Sequence, residues 1–235
     1  MQNYRKTIGA LAAASALVAG NASAEIEYEI HAGYTSEYIF RGQNLGTDLT
    51  EFGVDMATEY NGFGLSAGVW NASFHNNVNS GSVQETDVYG EVSKDLGFAT
   101  AAIGYIYYFN FGGAAADDAG ETYFSLAQTY FGVDFSLAYF WDISGEDNDG
   151  YTELTASKGY ELSPCVTLQT STALGYLWEQ GEFVHLTTKV AVDYAFTETA
   201  TVSPFIAYTW ALADEGVNRT QENEFVGGTM LTVSF

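Results

Sequence analysis

From residue 25 to the C-terminus the chain alternates apolar and polar side chains in segments of about ten residues, the period-two pattern of strands with one greasy and one wet face. Ile26, Tyr28, Ile30, Ala32 and Tyr34 interleave with Glu27, Glu29, His31 and Gly33, and Phe52, Val54, Met56 and Tyr60 interleave with Glu51, Asp55 and Glu59. The same alternation runs through Val133–Ile143, Val166–Trp178, Val184–Tyr194 and Val202–Leu212. Half-buried strands of soluble proteins run nearer five or six residues. A tilted strand that crosses a bilayer needs about nine to eleven.

This pattern predicts twelve strands, at 25–35, 49–60, 63–70, 83–93, 98–109, 121–130, 133–143, 151–160, 166–178, 183–194, 200–212 and 224–235. The intervening gaps are alternately long and short: 36–48 is followed by 61–62, 71–82 by 94–97, and 110–120 by 131–132. Asn61-Gly62 is a two-residue hairpin signal. Long loops at one end and tight turns at the other are the layout of an antiparallel up-and-down transmembrane β-barrel, with the turns and both termini facing the periplasm. Aromatics near strand ends (Tyr60, Phe63, Trp70, Tyr108, Tyr130, Trp141, Tyr160, Trp178, Tyr194 and Trp210) suit interfacial girdles. Phe98–Phe109 is apolar on both faces, Tyr151–Tyr160 is nearly featureless and Pro204 interrupts a strand, so barrels of ten or fourteen strands and a soluble sandwich stay open as alternatives.

Composition narrows the class. Charged residues make up 16%, aromatics 16%, and glycine outnumbers proline 25 to 2, a mix unsuited to a helical bundle or a disordered chain. Seven Lys plus Arg against 30 Asp plus Glu give a formal charge of −23, which excludes nucleic acid as a partner because phosphates require a basic footprint. Arg5 and Lys6, the apolar run Ile8–Val18 and Ala22-Ser23-Ala24 read as a signal peptide over 1–24, leaving 25–235 as the barrel. The lone Cys165 forms no internal disulfide, and nothing after the signal is apolar for the length of a membrane helix. These features place the protein in the outer membrane of a Gram-negative cell. The alternating C-terminus, Leu231-Thr232-Val233-Ser234-Phe235, resembles the signal read by the barrel-insertion machinery, with Phe235 as its terminal residue.

Ser36-Glu37-Tyr38-Ile39-Phe40-Arg41-Gly42 resembles the serine-acid-tyrosine-x-phenylalanine-arginine-glycine motif of the TorF-type porin family of Gram-negative bacteria, and Gln84–Gly90 resembles that family's acidic fourth-strand segment. The resemblance implies an outer-membrane barrel acting as a channel, with Tyr38, Phe40, Arg41 and Gly42 at the pore mouth, and carries no substrate with it.

If the polar face points inward, the lumen receives Glu27, Glu29, Glu51, Asp55, Glu59, Glu85, Asp87, Glu91, Asp134, Asp142, Glu153 and Asp193 against Lys189. Rings of carboxylates favour cations, so a narrow, cation-preferring passage for ions and small cationic or neutral polar solutes is expected. Tyr89, Tyr105, Tyr107 and Tyr123 are candidates to narrow it. Arg41 is expected either as a solvated rim residue or in a bidentate salt bridge to Glu85 or Asp87 that holds the first loop across the mouth. The other partners expected are membrane lipids, lipopolysaccharide and further copies of the chain through the apolar outer face. No cofactor is implied. The three histidines lie in no hydrolase motif, and an enzyme is disfavoured. Asp147-Asn148-Asp149-Gly150 followed by Glu153 is oxygen-rich, but it lacks the spacing of a calcium loop. A non-conducting structural or receptor barrel is the alternative to a channel.

Overall fold

The computed structural model describes residues 26–76, 81–112, 117–144, 150–212 and 222–235. Residues 1–24, expected to be a signal peptide, and Asp147, Asn148 and Asp149 of the oxygen-rich loop lie outside them. Alternating residues satisfy their backbone groups only by pairing sideways, and a sheet that closes leaves no unpaired edge for lipid to solvate. The chain does this with twelve strands: β1 (Glu27–Phe40), β2 (Gln43–Tyr60), β3 (Phe63–Asn76), β4 (Gly81–Asp95), β5 (Thr100–Phe111), β6 (Ala119–Tyr130), β7 (Val133–Asp142), β8 (Tyr151–Ser163), β9 (Val166–Leu177), β10 (Glu182–Ala195), β11 (Ala200–Ala211) and β12 (Glu224–Ser234). Each pairs antiparallel with its sequence neighbours, and β1 pairs with β12 to close the barrel. The seam is completed by Phe235 N–H donating to the Tyr28 carbonyl at 2.9 Å. The sandwich and the other strand counts are thereby excluded.

Phe52, Val54, Met56, Leu65, Val69, Val88, Val92, Ile103, Phe124, Leu137, Leu154, Ile206 and Leu231 are all exposed on the outer face. A continuous apolar belt of this kind is far larger than the patches that soluble monomers tolerate. It is flanked at the short-turn end by Tyr60, Phe63, Phe98, Tyr130, Phe131 and Tyr160, and at the other end by Phe111, Trp141, Trp178, Phe183, Trp210 and Phe225, all exposed. Two aromatics expected in these girdles are elsewhere. Trp70 and Tyr108 are 4% and 7% exposed and point inward, because each shares parity with inward neighbours, Ala72 and Phe74 in β3 and Ile106 in β5. By the same parity Tyr105 and Tyr107 lie on the lipid-facing side of β5 and do not narrow the interior, whereas Tyr89 and Tyr123 do point inward. Pro204 sits on the exposed side of β11, which runs through it unbroken.

The largest departure from the expected layout is the first long gap. Residues 36–48 are not a loop but an extension of β1 and β2, joined by the two-residue turn Arg41-Gly42.

Candidate functional site

The extended hairpin leaves the wall of the barrel. β1 stays paired to β12 only as far as Thr35 opposite Gly228, after which Ser36 Oγ accepts a hydrogen bond from Gly227 N–H at 3.0 Å. Beyond that point β1 pairs with β2 alone, to Phe40 opposite Gln43, while β2 keeps one last pairing to β3, Thr47 opposite His75. Two irregularities bend the hairpin: a register shift between Tyr38 and Ile39, and a second between Thr47 and Thr50, where Asp48 has φ +55°. Bulges of this kind re-aim a strand. The turn residues Arg41 and Gly42 have φ +51° and +80°, the left-handed pair that a tight hairpin turn requires.

The tip crosses the interior. Tyr38 stays on the near side, packed against Trp70 and edge-on to Phe74 at 4.9 Å, with its hydroxyl donating to Glu85 of β4 at 3.2 Å. Arg41 reaches β6, four strands round the barrel from β2. Nη1 and Nη2 donate to the two carboxylate oxygens of Glu121 at 2.7 and 2.6 Å, a bidentate, charge-assisted pair. The guanidinium lies 4.7 Å from the ring centre of Phe40, 4.9 Å from Phe140 of β7 and 4.5 Å from Tyr151 of β8. Tyr108 of β5 donates to the same Glu121 carboxylate at 2.8 Å. Gly42 faces His185 of β10, so close that an added Cβ would sit 2.5 Å from the His185 Cβ. Contacts to β4, β5, β6, β7, β8 and β10 from one hairpin tip are reachable only through the lumen.

Gly42→Val is therefore expected to dislodge the tip. A β-branched residue at positive φ costs about 1–2 kcal/mol even without the His185 clash, on the order of tenfold in the docked population. Trypsin should then cut after Arg41 at least about ten times faster than in the wild type. Equal protection of Arg41 in both proteins would show that the tip tolerates a side chain there.

On the inner face, carboxylates take hydrogen bonds from aromatic donors. Trp70 Nε1–H donates to Glu51, Tyr89 to Asp55, Tyr123 to Glu91 at 2.9 Å and Tyr151 to Glu153 at 2.7 Å. Asp193 accepts from Gln169 and Ser203 at 2.9 and 2.7 Å. Asp87 Oδ1 is buried without a hydrogen-bond partner. Lys189, on the same face, rests its ammonium 3.9 Å over the Phe205 ring. Glycines make room for this layer; a Cβ at Gly104 would lie 2.2 Å from the Tyr123 ring.

Of the acids singled out from the sequence, Glu51, Glu85, Asp87 and Glu91 are buried, and Glu29, Asp55, Glu59, Asp134 and Asp142 are half-buried on the same parity. Glu27, at the start of β1, is exposed, as is the terminal Phe235. Tyr38 and Gly42 are buried and Phe40 and Arg41 half-buried, all within the lumen rather than at its rim. The bidentate bridge of Arg41 forms, but its partner is Glu121 and not Glu85 or Asp87, because the hairpin is long enough to pass the near wall. Glu121, Tyr108, Phe140, Tyr151 and His185 were not in the expected site. The alternation of Phe124 outward with Tyr123 and Ser125 inward carries the signal that would have turned Glu121 to the interior. Among the described residues Glu29, His31 and Asp55 place their ligating atoms within 4.8 Å of one another, close enough to share a metal ion.

A closed twelve-stranded antiparallel barrel with a greasy belt, aromatic girdles and an inward hairpin defines a β-barrel of the outer-membrane type. The chain belongs to the family described as a bacterial protein of unknown function (Gcw_chp), whose model matches residues 19–185. Among solved structures it is similar to the KdgM porin (13% identity, 88% of this chain and 99% of that one, TM-score 0.54). It is likewise similar to the COG4313 outer membrane channel from Pseudomonas putida F1 (9% identity, 92% and 97%, TM-score 0.56) and to the NanC porin (16% identity, 88% and 98%, TM-score 0.51). No curated protein matches the chain.

Proposed function

We propose that the protein is a passive outer-membrane channel, narrow and cation-preferring, whose lumen is constricted by the hairpin of residues 36–48, and that it is a porin rather than an enzyme. The observation that carries this reading is the chemistry of the inner face. Glu51, Asp55, Glu85, Glu91 and Glu153 are held by tyrosine and tryptophan donors, which orient a carboxylate without cancelling its charge. Arg41, the cation at the tip, is neutralised by Glu121. The field along such a passage is negative, so it concentrates cations and repels anions.

The resemblance of Ser36–Gly42 to TorF-type porins supports the same reading, since those residues form the outgoing arm and the turn of the hairpin. The KdgM porin has been observed in complex with disordered oligogalacturonate, a polyanion; the inner acids here oppose a cargo of that sign. Small cationic or neutral polar solutes fit instead. The outer belt would lie against lipid and lipopolysaccharide or against a second copy of the chain, with the C-terminal strand presented to the insertion machinery. His185 hydrogen-bonds through Nε2 to the Tyr151 hydroxyl at 2.8 Å and through Nδ1 to the Thr187 hydroxyl at 3.1 Å, which places it in the wall of the lumen beside the hairpin tip.

The test is the reversal potential of the refolded barrel in a planar bilayer under a potassium chloride gradient. A cation-selective potential is expected. An anion-selective one, or a folded barrel that passes no current in the wild type or with the hairpin released, would overturn the proposal.

A further inference from the structure

The place that Arg41 occupies has the composition of a receptor for a guanidinium ion, and most of it belongs to the wall rather than to the hairpin. Glu121 supplies a carboxylate that accepts both guanidinium N–H groups in parallel, at 2.7 and 2.6 Å, and the Tyr108 hydroxyl holds that carboxylate in position at 2.8 Å. Phe140 and Tyr151 present ring faces 4.9 and 4.5 Å from the guanidinium carbon. Tyr151 is itself fixed by Glu153 at 2.7 Å and by His185 at 2.8 Å, with the imidazole ring stacked nearly parallel to it. These groups come from β5, β6, β7, β8 and β10. Only Phe40 and Arg41 come from the hairpin, so its withdrawal leaves a complete box: one carboxylate in fork geometry, two aromatic faces and no cation of its own.

We infer that this box is a binding site for guanidinium-bearing organic cations, which enter by displacing Arg41, and that Arg41 is an internal mimic of the solute. The inference rests on the channel reading and names the solute class for it. Planarity is what makes the site selective. A guanidinium makes two parallel hydrogen bonds to Glu121 while stacking between the rings, whereas an ammonium is a strongly hydrated point charge that cannot do both. The competition is between a tethered and a free ligand. A short tether gives an effective concentration in the millimolar range, so a free guanidinium compound at about millimolar levels is enough to exchange with Arg41.

The experiment uses methylguanidinium as the probe and methylammonium as its comparison, on the full barrel carrying Arg41→Ala. Single-channel current through that variant should be blocked at millimolar methylguanidinium, with methylammonium at least about tenfold weaker. The double variant Arg41→Ala/Glu121→Gln removes both partners and leaves no orphaned charge; it should need at least about tenfold more methylguanidinium for the same block. A cation-selective current through Arg41→Ala that methylguanidinium blocks no better than methylammonium would overturn the guanidinium site while leaving the channel reading intact. If Arg41→Ala folds but passes no current, the channel reading fails. The box is then judged by thermal unfolding: a rise in Tm with millimolar methylguanidinium in Arg41→Ala, absent in the double variant, sustains the site, and no rise in either removes it.

Discussion

Single-channel conductance of the Arg41→Ala barrel is expected to exceed that of the wild type several-fold. Arg41 anchors the tip through two charge-assisted hydrogen bonds to Glu121 and ring contacts with Phe140 and Tyr151, and its side chain is only 20% exposed. Charge-assisted hydrogen bonds contribute about 1.5–3 kcal/mol each and cation–π contacts about 0.5–2. Loss of the set is worth about 4 kcal/mol, on the order of a thousandfold in the ratio of docked to released hairpin. Tyr38, held by Trp70, Phe74 and Glu85, keeps the base of the hairpin on the near wall, so the expected change is a swing of the tip rather than unfolding. Paired recordings at equal salt decide it. Identical conductance in the two proteins would mean that the hairpin does not limit the passage.

Neutralising four inner acids of β2 and β4 together, Glu51→Gln, Asp55→Asn, Glu85→Gln and Asp87→Asn, is expected to lower the cation-to-anion permeability ratio and move the reversal potential toward zero, because lumenal carboxylates are what favour cations. The amides keep an acceptor oxygen for Trp70, Tyr89 and Tyr38, so the hydrogen bonds that order the inner face survive. Asp95→Asn, an exposed residue at the end of β4, serves as the control and should leave selectivity unchanged. Retention of full cation selectivity by the fourfold variant would place the selective charges elsewhere.

The architecture was legible in the sequence because a barrel strand advertises itself locally. Phe52, Val54 and Met56 against Glu51, Gly53 and Asp55 need no distant information to say that they lie on opposite faces of one strand, and the tight turn Asn61-Gly62 fixes how β2 meets β3. Local signals mislead where strand parity opposes them. Trp70 and Tyr108 sit near strand ends, which suited a girdle, yet their neighbours turn them inward. Residues 36–48 carry polar and glycine residues that read as a loop, although Glu37 pairs with Thr47 and Tyr38 with Gly46 in the folded hairpin.

The sequence by itself determined a run of long two-faced strands joined by alternately tight and long connections, because period-two alternation is a property of each strand alone; that they number twelve and close on themselves, rather than forming a sandwich or a barrel of ten or fourteen, is decided by the pairing of β1 with β12. Only the tertiary structure decided where the hairpin goes and which carboxylate receives Arg41. Three acids of suitable charge, Glu85, Asp87 and Glu121, lie within the same barrel, and nothing in strand parity distinguishes them. The choice depends on how two bulges bend the hairpin and how far its tip then reaches, which brings Arg41 to a residue 80 positions away. Charge complementarity makes the pair favourable, but closure of the barrel around the hairpin is what selects it.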